Sequence, residues 1–98
     1  MVAAVQHHTA SLTADYDRDA DVLYVSVGDP RLGIGDDGPN DVILRYDQDD
    51  HHPSGVTVPG FEENGWASRK QVLAAIIAHH VGVGEAEAQD IIASATGI

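Results

Sequence analysis

The spacing of apolar residues changes period once along this chain, and that change restricts the folds open to it. Up to Pro59 apolar residues alternate with polar ones; from Ser68 onward they recur every three to four positions. A period of two puts alternate side chains on opposite faces of a strand, whereas a period near 3.6 describes one face of a helix. Strands followed by helices predict an α+β architecture, with the helices packed on one face of an antiparallel sheet.

Four strands are expected. In "SLTADYD", Leu12, Ala14 and Tyr16 alternate with Thr13 and Asp15. In "DVLYVSV", Leu23, Val25 and Val27 share one face and Val22, Tyr24 and Ser26 the other. "DVILRY" sets Val42, Leu44 and Tyr46 against Ile43 and Arg45, and "VTVP" is a short strand closed by Pro59. "GDPRLGIGDDGPN" and "DQDDHHPSG" read as polar loops, being dense in Gly, Pro and Asp. Residues 1–10 read as a loose arm. The expectation is one domain over 1–98, with a four-stranded antiparallel sheet of two successive hairpins in 11–60 and a helical hairpin over 67–96.

In the first helix, "SRKQVLAAIIAHHVG", Ser68 and Gln71 have the spacing of a capping box, and Gly82 is a suitable stop. Val72, Leu73, Ile76, Ile77 and His80 form its apolar face, with His80 at the edge. The second, "EAEAQDIIASATG", starts with Glu85 and Glu87 at the positive end of the helix dipole. Its buried face is Ala88, Ile91, Ile92 and Ala95.

A short repeat marks the hairpins: Tyr16-Asp17-Arg18-Asp19 returns as Tyr46-Asp47-Gln48-Asp49. Each copy ends a strand and precedes another. Tyr16, Asp17, Asp21, Leu23, Tyr24 and Val25, with Tyr46, Asp47, Gly55, Val56 and Val58, resemble the pattern of domain of unknown function family 2283. The resemblance covers residues 12–58. It implies a small sheet-based domain without an established activity, some members of which are read as the small partner (antitoxin-like) of a toxin-like protein. Two features depart from that pattern: "QDDHHPS" is longer than a tight acidic-Gly turn, and the helices from Trp66 onward lie outside the motif.

Charge narrows the function classes. Sixteen Asp and Glu against five Lys and Arg give a net charge of −11 at pH 7. Phosphate backbones are bound by clustered cations, so nucleic acid and anionic membrane surfaces are not expected partners. The helix pair has the rhythm of a helix-turn-helix, but its second helix carries Glu85, Glu87 and Asp90 and no cation. Cysteine is absent, which excludes disulfides, thiolate metal sites and cysteine nucleophiles. "MVAAVQHHTA" has neither the basic region nor the apolar stretch of a signal peptide, so a cytoplasmic location is expected. With one Trp, one Phe and three Tyr, the core is short of large side chains. Self-association, most simply as a dimer, is expected to supplement it.

Asp15, Asp17, Asp19 and Asp21 stand at every second position. Counted from Asp17, a calcium loop would need Gly at its sixth position and Glu at its twelfth; Val22 and Gly28 occupy them. A hairpin turn of about five residues, with the Asp17 side chain accepting backbone N–H groups, explains the row better. No catalytic motif appears: Gly33, Gly35 and Gly38 match a dinucleotide fingerprint only formally, since no helix opens there. No cofactor is expected. Of the pairs His7-His8, His51-His52 and His79-His80, the middle one adjoins Asp49 and Asp50, so His51, His52, Asp49 and Asp50 are the candidate divalent-metal ligands. The expected function is a protein-interaction module whose acidic loops, with Asp17, Asp19, Asp21, Asp47 and Asp49, meet a basic protein. The alternative is a metal-binding protein using the His/Asp loop.

Overall fold

A computed structural model describes residues 6–30 and 33–97. Six strands, not four, form the sheet: β1 (His7–His8), β2 (Leu12–Asp17), β3 (Val22–Val27), β4 (Gly33–Asp37), β5 (Ile43–Asp47) and β6 (Pro53–Pro59). Two helices follow, α1 (Lys70–Val81) and α2 (Glu85–Thr96). The strand order is β1-β2-β3-β6-β5-β4 with every pairing antiparallel. Two three-stranded meanders therefore join through β3 and β6, with Val25 opposite Val56. The α+β class and the hairpins β2–β3 and β5–β6 stand as expected, and the strand count is corrected.

Both unexpected strands lie at the edges. Of the stretch read as an arm, residues 1–5 lie outside the described residues, and β1 comes from the rest, where His7 and His8 pair with Ala14 and Thr13. It is tied down from a distance: the Thr9 hydroxyl donates to Glu87 Oε2 (2.6 Å), and so does the Ser11 N–H (2.7 Å). β4 comes from the Gly- and Asp-rich stretch read as a loop and pairs with β5 from Gly33↔Asp47 to Asp37↔Ile43. Its glycines let it approach closely, for a Cβ at Gly33 would lie 2.6 Å from the Tyr46 carbonyl oxygen. Pairing with a β-rich neighbour here outweighs the low strand propensity of "GIGDD".

Leu12, Ala14, Leu23, Val25, Val56 and Val58 face the helices and are fully buried. α2 lies over β2 and β1, and α1 over β6. The buried face of α2 is Ala88, Ile91, Ile92 and Ala95, as expected, with Thr96 added. In α1 the buried residues are Leu73, Ala74, Ile77 and Ala78, so Leu73 and Ile77 are buried as expected but the core face is rotated toward Ala74 and Ala78. Val72 is 44% exposed, while Ile76 and His80 are half-buried. The apolar stripe of α1 is wider than β6 and α2 can cover, and the leftover flank faces β5.

The capping box does not form. Ser68 lies in a 3-10 turn, Trp66–Ser68, and its hydroxyl donates to the Gly65 carbonyl (3.0 Å). α1 begins after Arg69 instead. Gly82 ends it in the left-handed conformation (φ 76°), its N–H bonded to the Ala78 carbonyl. Among the described residues no helix is long and apolar enough to cross a membrane.

Candidate functional site

The two Tyr-Asp-x-Asp copies fold alike. Asp17 Oδ1 accepts the N–H groups of Asp19 and Ala20, each at 3.1 Å. Asp47 Oδ1 accepts those of Asp49 (2.9 Å) and Asp50 (3.4 Å). Each turn also ends in a left-handed residue four positions on, Asp21 (φ 58°) and His51 (φ 62°). The repeat is thus a repeated turn.

Asp21 does more than close its turn. Its Oδ1 accepts the Tyr16 hydroxyl (2.6 Å) and the Glu62 N–H (2.8 Å), and its Oδ2 the Glu63 N–H (3.0 Å). Its carbonyl accepts the Phe61 N–H at 3.1 Å. The turn thereby holds the segment leaving β6, and the Tyr16 ring packs edge-on against Phe61 at 5.5 Å. The Glu62 N–H, the Tyr16 hydroxyl and the Glu63 N–H, in that order, hold the Asp21 carboxyl below its ordinary range. Burial and then the Asp21 carboxylate push the Tyr16 hydroxyl above its own.

A carboxyl whose folded-state pKa is depressed stabilises above its unfolded value and loses that contribution as pH falls through the folded one. Asp21→Asn is therefore expected to melt below the parent at neutral pH. The gap should close as both are titrated below roughly pH 4, the ordinary carboxylate range. Parallel thermal scans across pH check this; a gap that stays constant into acid would contradict the assignment.

The sheet does not bring the two acidic turns together. Val22 pairs with Pro59 at one end of β6, whereas Tyr46 pairs with Pro53 at the other. Six residues of strand separate these ends by roughly 20 Å. Asp17, Asp19 and Asp21 sit at one tip, and Asp47, Asp49 and Asp50 at the opposite tip, so they do not form one acidic face.

His51 and His52 are exposed at the second tip. His52 Nδ1 lies 3.3 Å from Asp50 Oδ2, and Asp50 Oδ1 accepts the His52 N–H at 3.0 Å. Among the described residues no three His, Asp or Glu side chains converge as a metal site would require.

A concavity among the described residues lies elsewhere. The β5–β4 half of the sheet extends past α1, leaving a groove of about 590 Å³ lined by Leu44, Tyr46, Val72, Ala75, Ile76 and His80. Ile34 pairs with Tyr46, so it stands on the same face and extends the apolar floor; it is 50% exposed. One wall is built by an irregular ladder. Arg45 pairs with Gly55 but Tyr46 with Pro53, which skips Ser54 and leaves the Arg45 carbonyl to another donor. His80 Nε2–H fills that role at 3.0 Å, and its ring stands edge-on to Tyr46 with centroids 5.0 Å apart.

Sequence reasoning placed Val72 and Ile76 in the core and missed the groove. The signal available was an apolar stripe on α1 broader than one sheet contact needs. No protein-family model, curated protein or solved structure matches the chain.

Proposed function

We propose that the chain is a protein-interaction module, the small acidic partner of a basic protein, and that its docking surface is the groove between α1 and β5. The carrying observation is the apolar overhang, where Val72, Ile76, Leu44, Tyr46 and Ile34 meet with no element of the described chain across them. Val72, Ala75, Ile76 and His79 span two turns of α1, roughly 10 Å, which suits a short apolar helix laid in the groove.

Charge favours a basic occupant over a second copy. Two copies would bring together two charges of −11. Asp36 pairs with Leu44, which places it on the groove side of β4. Several cations are already engaged within the fold. Arg18 donates to the Thr96 carbonyl, Arg69 lies 4.2 Å over the Trp66 ring, and Arg45 donates to the Val25 carbonyl and Ser26 Oγ. The surface that remains is strongly acidic and steers cationic segments toward it.

The test uses a synthetic amphipathic Leu/Lys helix as probe, titrated into isotope-labelled protein. Shifts are expected at Leu44, Tyr46, Val72 and Ile76, with affinity falling as salt rises. Val72→Asp, at an exposed position, is expected to weaken binding about tenfold or more, the cost of a charge in an apolar contact. Shifts scattered over the acidic tips and indifferent to Val72→Asp would overturn the reading. So would a dimer in sedimentation that Val72→Asp dissociates, since the second copy would then be the occupant.

A further inference from the structure

The face of the sheet turned away from the helices holds a second cavity, about 180 Å³, above the middle of β2, β3 and β5. The register explains what lines it. Thr13 pairs with Ser26, Ser26 with Gly55, and Gly55 with Arg45. Directly opposed residues share a face, so one row across four strands reads hydroxyl, hydroxyl, no side chain, guanidinium. Because Gly55 leaves a gap in the row, Arg45 lies down across β6 instead of reaching for water. Its Nη2 donates to the Val25 carbonyl and to Ser26 Oγ. Thr13 and Ser26 are each only 4% exposed.

This guanidinium is incompletely matched. Among the described residues its Nε is buried without a hydrogen-bond partner, and no carboxylate lies within ion-pair reach of it. Buried charges in proteins are ordinarily paired, because an unpaired one forfeits its hydration without return. Burial accordingly lowers the pKa of Arg45, and the nearby Tyr24 hydroxyl offsets this only in part. Among the described residues this half-buried cation forms no ion pair, and it borders a cavity lined with hydroxyl groups.

We propose that the cavity binds a single carboxylate group, with Arg45 as its counter-charge and the Thr13, Ser26 and Tyr24 hydroxyls as the polar lining. The planar fork of a guanidinium matches the two oxygens of a carboxylate bidentately. Asp15 lines the same cavity and limits the charge it accepts, disfavouring dianions such as phosphate. The carboxylate comes either from a small free acid or from the C-terminus of a peptide.

Acetate, phosphate and chloride are the probes, added to the full chain at equal ionic strength and neutral pH. Acetate is expected to shift the Arg45 Nε–H resonance and raise the melting temperature above that in chloride, with phosphate close to chloride. Asp15→Asn is expected to tighten acetate roughly tenfold by removing one nearby like charge, while Arg45→Lys weakens it with the fold retained. A short peptide with a free C-terminus, compared with its amide, separates the two sources: tighter binding than acetate, lost on amidation, assigns the site to a chain terminus, and affinity no better than acetate assigns it to a free acid. An Arg45 resonance and melting temperature indifferent to acetate, in the parent and in Asp15→Asn alike, would overturn the proposal.

Discussion

A Trp66→Ala variant is expected to lose about 3–5 kcal/mol of folding stability. In melting temperature that is a fall of roughly 15–35 °C for a domain of this size. Trp66 and Phe61 are the two largest fully buried side chains, in a core otherwise made of Leu, Ile, Val and Ala. The helices contribute Ala74, Ala78, Ala88 and Ala95 to that core, and such short side chains cannot swing into a hole left by an indole. Trp66 also stands where the sheet hands over to the helices. Its N–H bonds to the Phe61 carbonyl at 3.0 Å, and Arg69 covers its ring from outside. With total stabilities of about 5–15 kcal/mol for such domains, the loss leaves little margin. Denaturant unfolding followed by circular dichroism measures it, and Trp66→Phe should recover part. A Trp66→Ala protein within about 1 kcal/mol of the parent, below the usual cost of such a truncation, would show that Trp66 does not anchor the core.

Gly55→Ala is expected to cost about 3 kcal/mol, the upper end for forcing extra volume into a packed site. Gly→Ala often stabilises by restricting the unfolded chain, where the native backbone admits a side chain. Here a Cβ would overlap both Arg45 Nη2 and the Val25 carbonyl oxygen. The guanidinium can move, but the carbonyl belongs to the neighbouring strand and yields only if the β3–β6 pairing opens. That pairing is the sole direct junction between the two meanders in the described sheet. Arg45→Ala combined with Gly55→Ala separates the two obstacles. The pair should recover only the guanidinium share and remain clearly less stable than Arg45→Ala alone. Equal stability of those two proteins would show that the backbone overlap costs nothing.

The elements most legible in the sequence were those specified by near neighbours. Asp17 accepts two N–H groups within its own turn, Asp47 does the same, and Gly82 stops α1 where its left-handed conformation is needed. Ala88, Ile91, Ile92 and Ala95 fall on one stripe of α2 and are buried together. Ser68 and Gln71 show the weakness of a short motif: the spacing of a capping box is present, but the chain enters α1 through a 3-10 turn and the box is displaced. The candidate acidic residues were identifiable one by one, yet their arrangement was not. Asp21 looks like its neighbours in sequence and differs because the Tyr16 hydroxyl bonds it and Glu62, Glu63 and Phe61 come to it from forty residues away.

By itself the sequence determined the α+β class, the two hairpins, the helical hairpin and the acidic surface. Each follows from interactions within a turn, within one period of a strand or helix, or from charge alone. Only the tertiary structure decided that "GIGDD" and His7–His8 are edge strands, because a glycine-rich segment becomes a strand when a partner offers its hydrogen bonds. Only it separated the two acidic turns to opposite tips, since strand order and register are relations between distant segments. The same holds for the two concavities. The groove exists because the sheet is wider than the helices that cover it, and the Arg45 cavity exists because Gly55 happens to stand beside it.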